Sequence, residues 1–137
     1  SWLYSSFGKN FVKTMIYLMK KNKSVKVVND QVGSPTYAHD LARLIIEIII
    51  NYKNESGLFH YSNDGEISWF DFARSIKELY NLDCEIIGVS SKEFKTLAKR
   101  PQYSLLNKSK IKKIFNLEIP NYKQSLEKCI KVCKNGA

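Results

Sequence analysis

The stretch that decides the fold is VVNDQVGSPTYAHDLARLIIEIIIN, residues 27–51. A strand predicted at Ser24–Val28 runs into residues 29–36, which carry the Asn, Asp, Gly and Pro typical of a turn. Thr36 is then placed to cap a helix that continues to about Asn51. Because a strand followed closely by a helix is the repeating unit of α/β proteins, this stretch predicts that class.

The predicted helix is apolar nearly all round. Its apolar residues, which fall on almost every side, are Leu41, Ala42, Leu44, Ile45, Ile46, Ile48, Ile49 and Ile50. A helix of this kind is buried on more than one side. We therefore expect part of its surface to be covered by a partner subunit or by a preceding part of the same protein.

Strands and helices continue to alternate on both sides of this stretch. Residues 1–5 (SWLYS) predict a strand, and the apolar stripe that follows predicts a helix, through Phe11, Met15, Leu18 and Met19. The later predicted elements are a strand at 57–62, a helix capped at Ser68 and running to Tyr80, a strand at 84–89, a short helix from Ser90 to about Ala98, a basic segment at 107–115 and a helix opened by Pro120. We predict a single α/β region over residues 1–137, with short strands and packed helices.

The net charge of +9 lies entirely in the last third of the chain. Residues 1–91 hold ten basic and ten acidic residues, whereas residues 92–137 hold twelve basic and three acidic ones. Three interpretations stay open: a solvated helix surface, a small anionic ligand, or nucleic acid. Nucleic acid is disfavoured, since nineteen of the 22 cations are Lys and no zinc-knuckle, RRM-type or KH-type motif is present. No apolar run approaches the roughly 18–20 residues of a membrane span.

Cysteine and histidine placement predicts no metal site. Cys129 and Cys133 lie four residues apart in a helical pattern, and Cys84 lies far from both. Such thiols on one apolar helix face are typical of buried residues in a reducing compartment. His39 and His60 have no ligand spacing to these cysteines. We therefore expect no metal.

The chain contains none of the motifs that carry catalysis or cofactor binding. It lacks a glycine-rich dinucleotide turn, a nucleoside-triphosphate loop and a nucleophile elbow. Tyr17 and Lys21 have the Tyr-x-x-x-Lys spacing of a dehydrogenase proton donor, but they lie in an amphipathic helix and this spacing arises often by chance. We expect no catalytic and no cofactor-binding residue in this chain.

Two residues are candidates for ligand recognition. Arg100, one of three arginines, precedes the stiffening Pro101, and a rigid arginine loop suits bidentate capture of phosphate or carboxylate. A solvated loop cation is the open alternative. Trp2, at the end of the first predicted strand, is either a core residue or a platform for a ligand.

Five segments, in order along nearly the whole chain, resemble the C-terminal half of the dTDP-4-dehydrorhamnose reductases, which belong to the extended short-chain dehydrogenase/reductase family. They are SWLYS, GKNFVKTM, VVNDQVGSPTYAHDLA, GLFHYSNDGEISWFDFA and KRPQYSLLNKSKI. The combination of DQ-x-G-x-PT with DLA and RP-x-x-S-x-L is the specific part of the resemblance. PTYxxDLA alone is shared more widely among nucleotide-sugar epimerases and reductases.

The resemblance implies a division of labour within a longer protein. In the family, an N-terminal Rossmann part binds NADPH or NADH and carries the catalytic Tyr-x-x-x-Lys, while the C-terminal part closes over the nucleotide-sugar. This chain would begin just after the catalytic helix, without the Rossmann part, so we expect it to be inactive alone. The whole protein would reduce dTDP-4-dehydro-L-rhamnose to dTDP-L-rhamnose in the bacterial cytoplasm, with a homodimer left open.

The resemblance also assigns substrate-binding residues. Trp2 matches a family Trp that lies beside the sugar. Arg100 matches the family arginine that faces the diphosphate, and Pro101 and Ser104 match the residues that hold its loop. The resemblance therefore favours a phosphate-binding role for Arg100 over a solvated cation.

A further matched segment and two departures complete the comparison with the family pattern. Asn10 and Phe11 match the segment that approaches the nucleotide diphosphate. Epimerase relatives often carry an arginine where this chain has Gly33 and Ser34, so that contact is missing. Some reductases bind Mg²⁺ at a dimer contact through glutamates, one of which falls about where His39 stands, which puts Mg²⁺ in doubt.

Three alternatives stay open at the level of sequence. The first is another nucleotide-sugar reductase or epimerase of the same family. The second is a non-catalytic relative, such as the regulatory subunit of methionine adenosyltransferase, which shares the fold. The third is a small basic nucleic-acid binder.

Overall fold

The computed structural model describes residues 1–94, 98 and 100–136. The described residues form an α/β arrangement of short strands and packed helices, as the sequence predicts. In chain order the elements are β1 Leu3–Tyr4, α1 Phe11–Lys21, β2 Ser24–Val28, β3 Val32–Gly33, β4 Thr36–Tyr37, α2 Ala38–Asn51, β5 Ile67–Ser68, α3 Trp69–Tyr80, β6 Glu85–Val89, α4 Ser109–Phe115 and α5 Tyr122–Lys134.

The described strands pair in three two-stranded sheets. β2 and β6 run parallel over their full length, with Val25 opposite Ile86. β1 and β4 also run parallel, whereas β3 and β5 are antiparallel. The strands predicted at 24–28 and 84–89 are confirmed, the second from residue 85 onward, and the strand predicted at 1–5 is confirmed for Leu3–Tyr4 alone.

The strand predicted at residues 57–62 is wrong, because no regular element forms there. Phe59 and Tyr61 do face inward and pack against a second core cluster, and Leu58 is 76% exposed, but no neighbouring strand pairs with the segment among the described residues. Polar contacts fix its end instead. The backbone N–H of Asn63 donates to the carbonyl of Pro35 at 3.1 Å, and the backbone N–H of Tyr37 donates to Oδ1 of Asn63 at 2.7 Å.

Thr36 does not cap α2, contrary to the sequence prediction. It lies in β4, where its backbone N–H donates to the carbonyl of Trp2 at 3.1 Å and its hydroxyl donates to the carbonyl of Ser1 at 2.5 Å. The hydroxyl is therefore already used, and α2 begins at Ala38 without a side-chain cap. The helix does end at Asn51, as predicted. The predicted turn at 29–36 also contains β3 and the first residue of β4.

Side-chain caps fix the starts of α3 and α5. Oγ of Ser68 accepts a hydrogen bond from the backbone N–H of Asp71 at 3.0 Å, which confirms the predicted cap. The last helix begins at Tyr122, two residues after the predicted start at Pro120, because Asn121 provides the cap.

The basic segment at 107–115 is partly helical, and the structure describes only some residues of the segment at 90–98. Within 107–115, α4 spans Ser109–Phe115. At the start of the segment predicted as a short helix, the backbone N–H of Ser90 donates to Oε1 of Glu93 at 3.2 Å. The short helix predicted from Ser90 to about Ala98 is wrong for residues 91–94, which form a turn, and its residues 95–97 lie outside the described residues.

The main core lies between α1, α3 and α5. Phe72 and Ile76 of α3 are fully buried there, together with Val12 of α1 and Leu126 of α5. Burial of an apolar side chain of this size contributes about 1.5–3 kcal/mol relative to exposure. The core therefore fixes α1 and α3 against each other, and the start of each helix contributes to the site described below.

A buried polar cluster ties α2 to α5. Nδ2 of Asn63 donates to Oδ2 of Asp40 at 2.8 Å and to Oγ of Ser125 at 2.9 Å. The hydroxyl of Ser125 in turn donates to Oδ2 of Asp40 at 2.5 Å. Because these groups satisfy one another, they can be buried without large desolvation costs.

One side of α2 is apolar and exposed. Its buried residues are Asp40 and Leu44, so the described residues cover one side of the helix, and the cover expected from a partner subunit or another part of the protein stays a prediction. The α2 apolar face, whose members are 47–64% exposed, consists of Ile45, Ile46, Ile49 and Ile50. Neither α2 nor any other described helix is long and apolar enough to cross a membrane.

Candidate functional site

A cleft of about 390 Å³ opens between α1, β2 and the start of α3. Its lining is mostly apolar, with a few polar and cationic groups, which is typical of small-molecule sites. The lining residues are Phe11, Thr14, Met15, Lys26, Val27, Val28, Gln31, Trp69, Phe94 and Arg100.

A smaller cavity of about 120 Å³ adjoins this cleft. Three side chains line both spaces: Gln31, Trp69 and Arg100. The two spaces are therefore adjacent, and we refer to them together as the joined cleft. The lining residues of the smaller cavity are Ser1, Trp2, Gln31, Trp69, Arg100, Pro101 and Ser104.

An aromatic row forms one wall of the joined cleft. Trp69 stacks on Trp2, with ring centroids 3.6 Å apart and an interplanar angle of 12°. Phe11 lies near the other side of Trp69, with centroids 4.4 Å apart. Trp69 is the first residue of α3, so the Ser68 cap and the buried Phe72 below it fix the position of the row.

Gly33 allows Trp2 to lie close to β3. A Cβ atom at Gly33 would stand 2.8 Å from Cε2 of Trp2 and 2.7 Å from Oγ of Ser104, both shorter than a normal contact. Trp2 also adopts a left-handed φ of 51°, which is strained for a residue with a side chain. The absence of a side chain at Gly33 thus shapes the smaller cavity.

The end of the Arg100 loop is held to β3 by backbone contacts. The N–H of Val32 donates to the carbonyl of Gln102 at 2.7 Å, and the N–H of Ser104 donates to the carbonyl of Val32 at 2.9 Å. The hydroxyl of Ser104 donates to the same carbonyl at 3.3 Å. Together with the fixed φ of Pro101, these contacts hold the end of the loop in which Arg100 lines both spaces.

Two cations line the joined cleft, Arg100 and Lys26. Hydrogen bonds from Ser90 lower the pKa of Glu93, and the charge of Lys26 adds to that effect, so Lys26 faces one carboxylate. No hydrogen bond or ion pair within the described ranges engages the guanidinium of Arg100 or the ammonium of Lys26. Asp30, next to Gln31, is bonded elsewhere: the backbone N–H of Ser91 donates to both of its carboxylate oxygens at 3.0 Å. These bonds lower the pKa of Asp30, so its charge is committed to Ser91. The cleft therefore presents positive charge that can bind an anion.

Five of the six residues that the resemblance assigns to substrate binding line the joined cleft: Trp2, Phe11, Arg100, Pro101 and Ser104. Asn10 is the exception. Its Oδ1 accepts from the backbone N–H of Lys13 at 3.2 Å, and its Nδ2 donates to the carbonyl of Ser5 at 2.8 Å. Asn10 thus caps α1, and through the helix it positions the adjacent Phe11.

Nine lining residues are not among the predicted site residues, and three of them carry the arguments below: Gln31, Trp69 and Lys26. The sequence pattern explains each of them by a structural role. Gln31 lies in the predicted turn, Trp69 follows a helix cap and Lys26 lies in a predicted strand. The signal for Gln31 and Trp69 was their place in the segments that carry the family resemblance. Lys26 has no local signal, because it reaches the cleft only through the pairing of β2.

Residues considered for catalysis and metal binding lie away from the joined cleft. Lys21 donates from Nζ to the hydroxyl of Tyr17 at 2.7 Å on the exposed side of α1. His39 stacks on Tyr37. In the part of the chain that the structure describes, no group of three or more His, Cys, Asp and Glu residues is placed to hold a metal. Burial and the neighbouring Cys133 raise the pKa of the Cys129 thiol to about 12.

Several known proteins are similar to this chain in sequence and fold. The spore coat polysaccharide biosynthesis protein SpsK of Bacillus subtilis is 40% identical over 107 residues, which is 78% of this chain and 37% of SpsK. The crystal structure of a dTDP-4-dehydrorhamnose reductase from Clostridium acetobutylicum is 39% identical, with a TM-score of 0.92 over 98% of this chain and 47% of that one.

A second solved structure, dTDP-4-dehydrorhamnose reductase from Bacillus anthracis in complex with NADP, is 39% identical, with a TM-score of 0.89 over 96% of this chain and 46% of that one. The chain thus spans less than half the length of each of these relatives. A family model described as the RmlD substrate binding domain matches residues 1–135. Because this match covers nearly every residue, the chain belongs to the RmlD substrate binding domain family.

Proposed function

We propose that this chain is the nucleotide-sugar binding region of a dTDP-4-dehydrorhamnose reductase, residues 1–137 acting as one substrate-binding unit. The whole protein would use NADPH or NADH to reduce dTDP-4-dehydro-L-rhamnose to dTDP-L-rhamnose. The observation that carries the proposal is the joined cleft, in which an arginine without a partner among the described residues stands where an apolar space meets an aromatic one. The reductases of the same fold at 39% identity support the choice of reaction.

The diphosphate is proposed to bind at Arg100. A guanidinium is a planar fork of donors that matches two phosphate oxygens at once. Lys26, on the wall of the larger space, supplies a second positive charge to the same anion. A diphosphate needs such paired cations, because its negative charges lose hydration when they enter a cleft.

The two ends of the ligand are proposed to occupy the two spaces. The larger one, at about 390 Å³, lies within the range of ligand pockets, and its Phe11, Val27, Val28 and Phe94 offer apolar surface for a nucleoside. The smaller one would hold the sugar against Trp2 and Ser104. Because Trp69 already covers one face of Trp2, the remaining indole surface is what the sugar would contact.

The cofactor and the catalytic groups are proposed to lie in another part of the longer protein. No dinucleotide turn exists in this sequence, and the NADP-bound relative is more than twice as long as the aligned chain. The α2 apolar face and Leu3 of β1, which is 58% exposed, suit contact with that part, since exposed apolar patches mark interaction surfaces. We expect the whole protein to act in the bacterial cytoplasm, and a homodimer is compatible with the same surfaces.

Calorimetric titration of the full natural protein tests the ligand class. We expect dTDP-L-rhamnose to bind more tightly than UDP-glucose or GDP-mannose, and duplex DNA not to bind at moderate salt. Tighter binding of a UDP- or GDP-sugar would favour another nucleotide-sugar reductase or epimerase of the same fold. Absence of binding to all three nucleotide-sugars would contradict the proposal.

Oxidation of NADPH tests the division of labour. The full natural protein is expected to oxidise NADPH in the presence of dTDP-4-dehydro-L-rhamnose, whereas residues 1–137 alone are expected to show no turnover. Turnover by the isolated residues would contradict the assignment of catalysis to the other part. A full protein that binds the sugar nucleotide without turnover would indicate a non-catalytic relative.

A further inference from the structure

Gln31 occupies the junction of the joined cleft. It lines both spaces and is 8% exposed. Its backbone is held in place, because the N–H of Trp69 donates to its carbonyl at 3.4 Å and the next residue, Val32, donates to Gln102 at 2.7 Å. Gln31 therefore stands at a fixed point of the backbone in the wall that the two spaces share.

The carboxamide of Gln31 has no partner among the described residues. Buried polar side chains are normally hydrogen-bonded, so an unpaired one at a cavity wall is bonded to water in the free protein. A ligand that fills the junction displaces this water. The carboxamide must then bond to the ligand, or the complex carries the cost of an unsatisfied buried group.

The neighbouring side chains restrict which ligand group can satisfy Gln31. Arg100 and the indoles of Trp2 and Trp69 offer hydrogen-bond donors and no acceptor. A carboxamide combines two N–H donors with one acceptor oxygen, so a hydroxyl, which both donates and accepts, suits it fully. A phosphate oxygen would use the donors alone and leave the carboxamide oxygen unpaired. Ring hydroxyls of a sugar are therefore the matching group.

We propose that Gln31 is a specificity-determining residue whose carboxamide hydrogen-bonds a ring hydroxyl of the sugar at the junction. This inference rests on the proposed function, because it assumes that a nucleotide-sugar fills the joined cleft. A site that hydrogen-bonds a hydroxyl discriminates strongly against ligands without it, since the protein group is left unpaired. Gln31 thus distinguishes a nucleotide that carries a sugar from the bare nucleoside diphosphate.

The test is calorimetric titration of the full natural protein with two ligands, dTDP-L-rhamnose and dTDP. Gln31→Met keeps the length of the side chain and removes its hydrogen bonds. We expect it to weaken binding of dTDP-L-rhamnose about tenfold and to leave binding of dTDP within about twofold, since one hydrogen bond to the sugar is lost. Gln124→Met, at an exposed position of α5, is the matched control and is expected to change neither affinity.

A second variant keeps the proposal testable if Gln31→Met does not fold. Gln31→Asn retains the amide but withdraws it by one methylene, so the same selective loss for the sugar nucleotide is expected. Equal losses for both ligands, or no loss for either, would overturn the role of Gln31 while leaving the proposed function standing. A wild-type protein that binds neither ligand would overturn the proposed function together with this inference.

Discussion

The indole rings of Trp2 and Trp69 stack with their centroids 3.6 Å apart and their planes 12° from parallel. These are the two tryptophans of the chain, and both line the joined cleft. One comes from the residue before β1 and the other from the first residue of α3, so the stack forms only when these distant parts of the chain are correctly assembled. It therefore reports both on the fold and on occupancy of the site.

Ligand binding is expected to change the intrinsic tryptophan emission. A nucleotide-sugar in the joined cleft replaces water beside Trp69 and Trp2, and the environment of the indoles sets their emission. Titration of the full natural protein with dTDP-L-rhamnose checks this, with free N-acetyltryptophanamide as the control for absorption by the nucleotide. Trp69→Phe is expected to remove most of the change. An unaltered change in that variant would place the ligand elsewhere.

Gly33→Ala is expected to disturb the smaller cavity. The new methyl group would stand 2.8 Å from Trp2 and 2.7 Å from the hydroxyl of Ser104, so the indole must move. Overpacking of this kind costs about 1–3 kcal/mol. We expect reduced affinity for dTDP-L-rhamnose and a weaker near-ultraviolet circular dichroism signal from the indole pair.

Gly8→Ala is the control for the Gly33 experiment. Gly8 has a φ of +65°, and a Cβ atom added there would meet no described atom within 4 Å, so its substitution strains the backbone without touching the site. We expect Gly8→Ala to lower stability modestly and to leave the dichroism of the stack unchanged. If Gly33→Ala and Gly8→Ala reduced the dichroism signal equally, the close approach of Gly33 to Trp2 would not explain the reduction.

Asn63→Ala is expected to lower the free energy of unfolding by about 3 kcal/mol or more, because several buried partners lose their hydrogen bonds at once. Those partners include Asp40, Ser125 and the backbone N–H of Tyr37. Urea denaturation measures the loss. Asn54→Ala, at an exposed position, is expected to change stability by less than about 0.5 kcal/mol. A small effect of Asn63→Ala would show that the buried polar cluster contributes little.

Stability is expected to fall in acid through Asp64. Partial burial raises the pKa of this carboxyl, but hydrogen bonds from Lys112 and Lys108 outweigh burial and leave the pKa below its ordinary value of 3.8. A carboxyl whose pKa is lower in the folded state stabilises the protein above its ordinary value and loses that contribution as the pH falls further. Unfolding free energies of the wild type and Asp64→Asn should differ at neutral pH and converge below that value.

The control for Asp64 is Asp83→Asn, in the loop between α3 and β6. The unfolding free energy of Asp83→Asn is expected to follow that of the wild type across the same pH range. A constant gap between the wild type and Asp64→Asn at every pH would contradict the role of the Asp64 carboxylate. In that case the substitution would act through packing, which does not titrate.

Ile49→Lys is expected to weaken the proposed contact between residues 1–137 and the other part of the full natural protein. Ile49 is 64% exposed on the α2 apolar face, so the change should leave residues 1–137 as stable as before. In the full natural protein, where this face is proposed to be covered, we expect a loss of about 1.5–3 kcal/mol or more. Thermal denaturation of both forms makes the comparison. Equal stability of the two full-length forms would show that Ile49 is not covered by the other part.

Local sequence patterns were sufficient for most of the helices and for the two five-residue strands. These elements depend on residues close in sequence, so their positions could be predicted. Examples are the apolar stripe on α1, the Ser68 cap of α3 and the β-branched residues of β2. Strands of two residues, such as β3, carry no periodic signal, because they form only when a distant partner is in place. The exposed Leu58 shows the converse, since a local run of apolar and aromatic residues formed no strand.

The candidate site was predictable where a residue stands out in sequence and not where only the fold brings it to the cleft. Arg100 precedes a proline and is one of few arginines, and it does line the joined cleft. Lys26 is one lysine among many and reaches the cleft through strand pairing. For Asn10, the sequence pattern did not indicate the structural role, which is that its side chain caps α1.

The central claim is that the joined cleft binds a nucleotide-sugar through Arg100, and calorimetric titration of dTDP-L-rhamnose into Arg100→Gln tests it most directly. Loss of a charge-assisted bidentate contact predicts affinity lower by about 10- to 100-fold than in the wild type. Arg74→Gln is the matched control, because the Arg74 side chain is 56% exposed and its pair with Asp71 spans 3.9 Å. Unchanged affinity in Arg100→Gln, or an equal loss in Arg74→Gln, would contradict the claim.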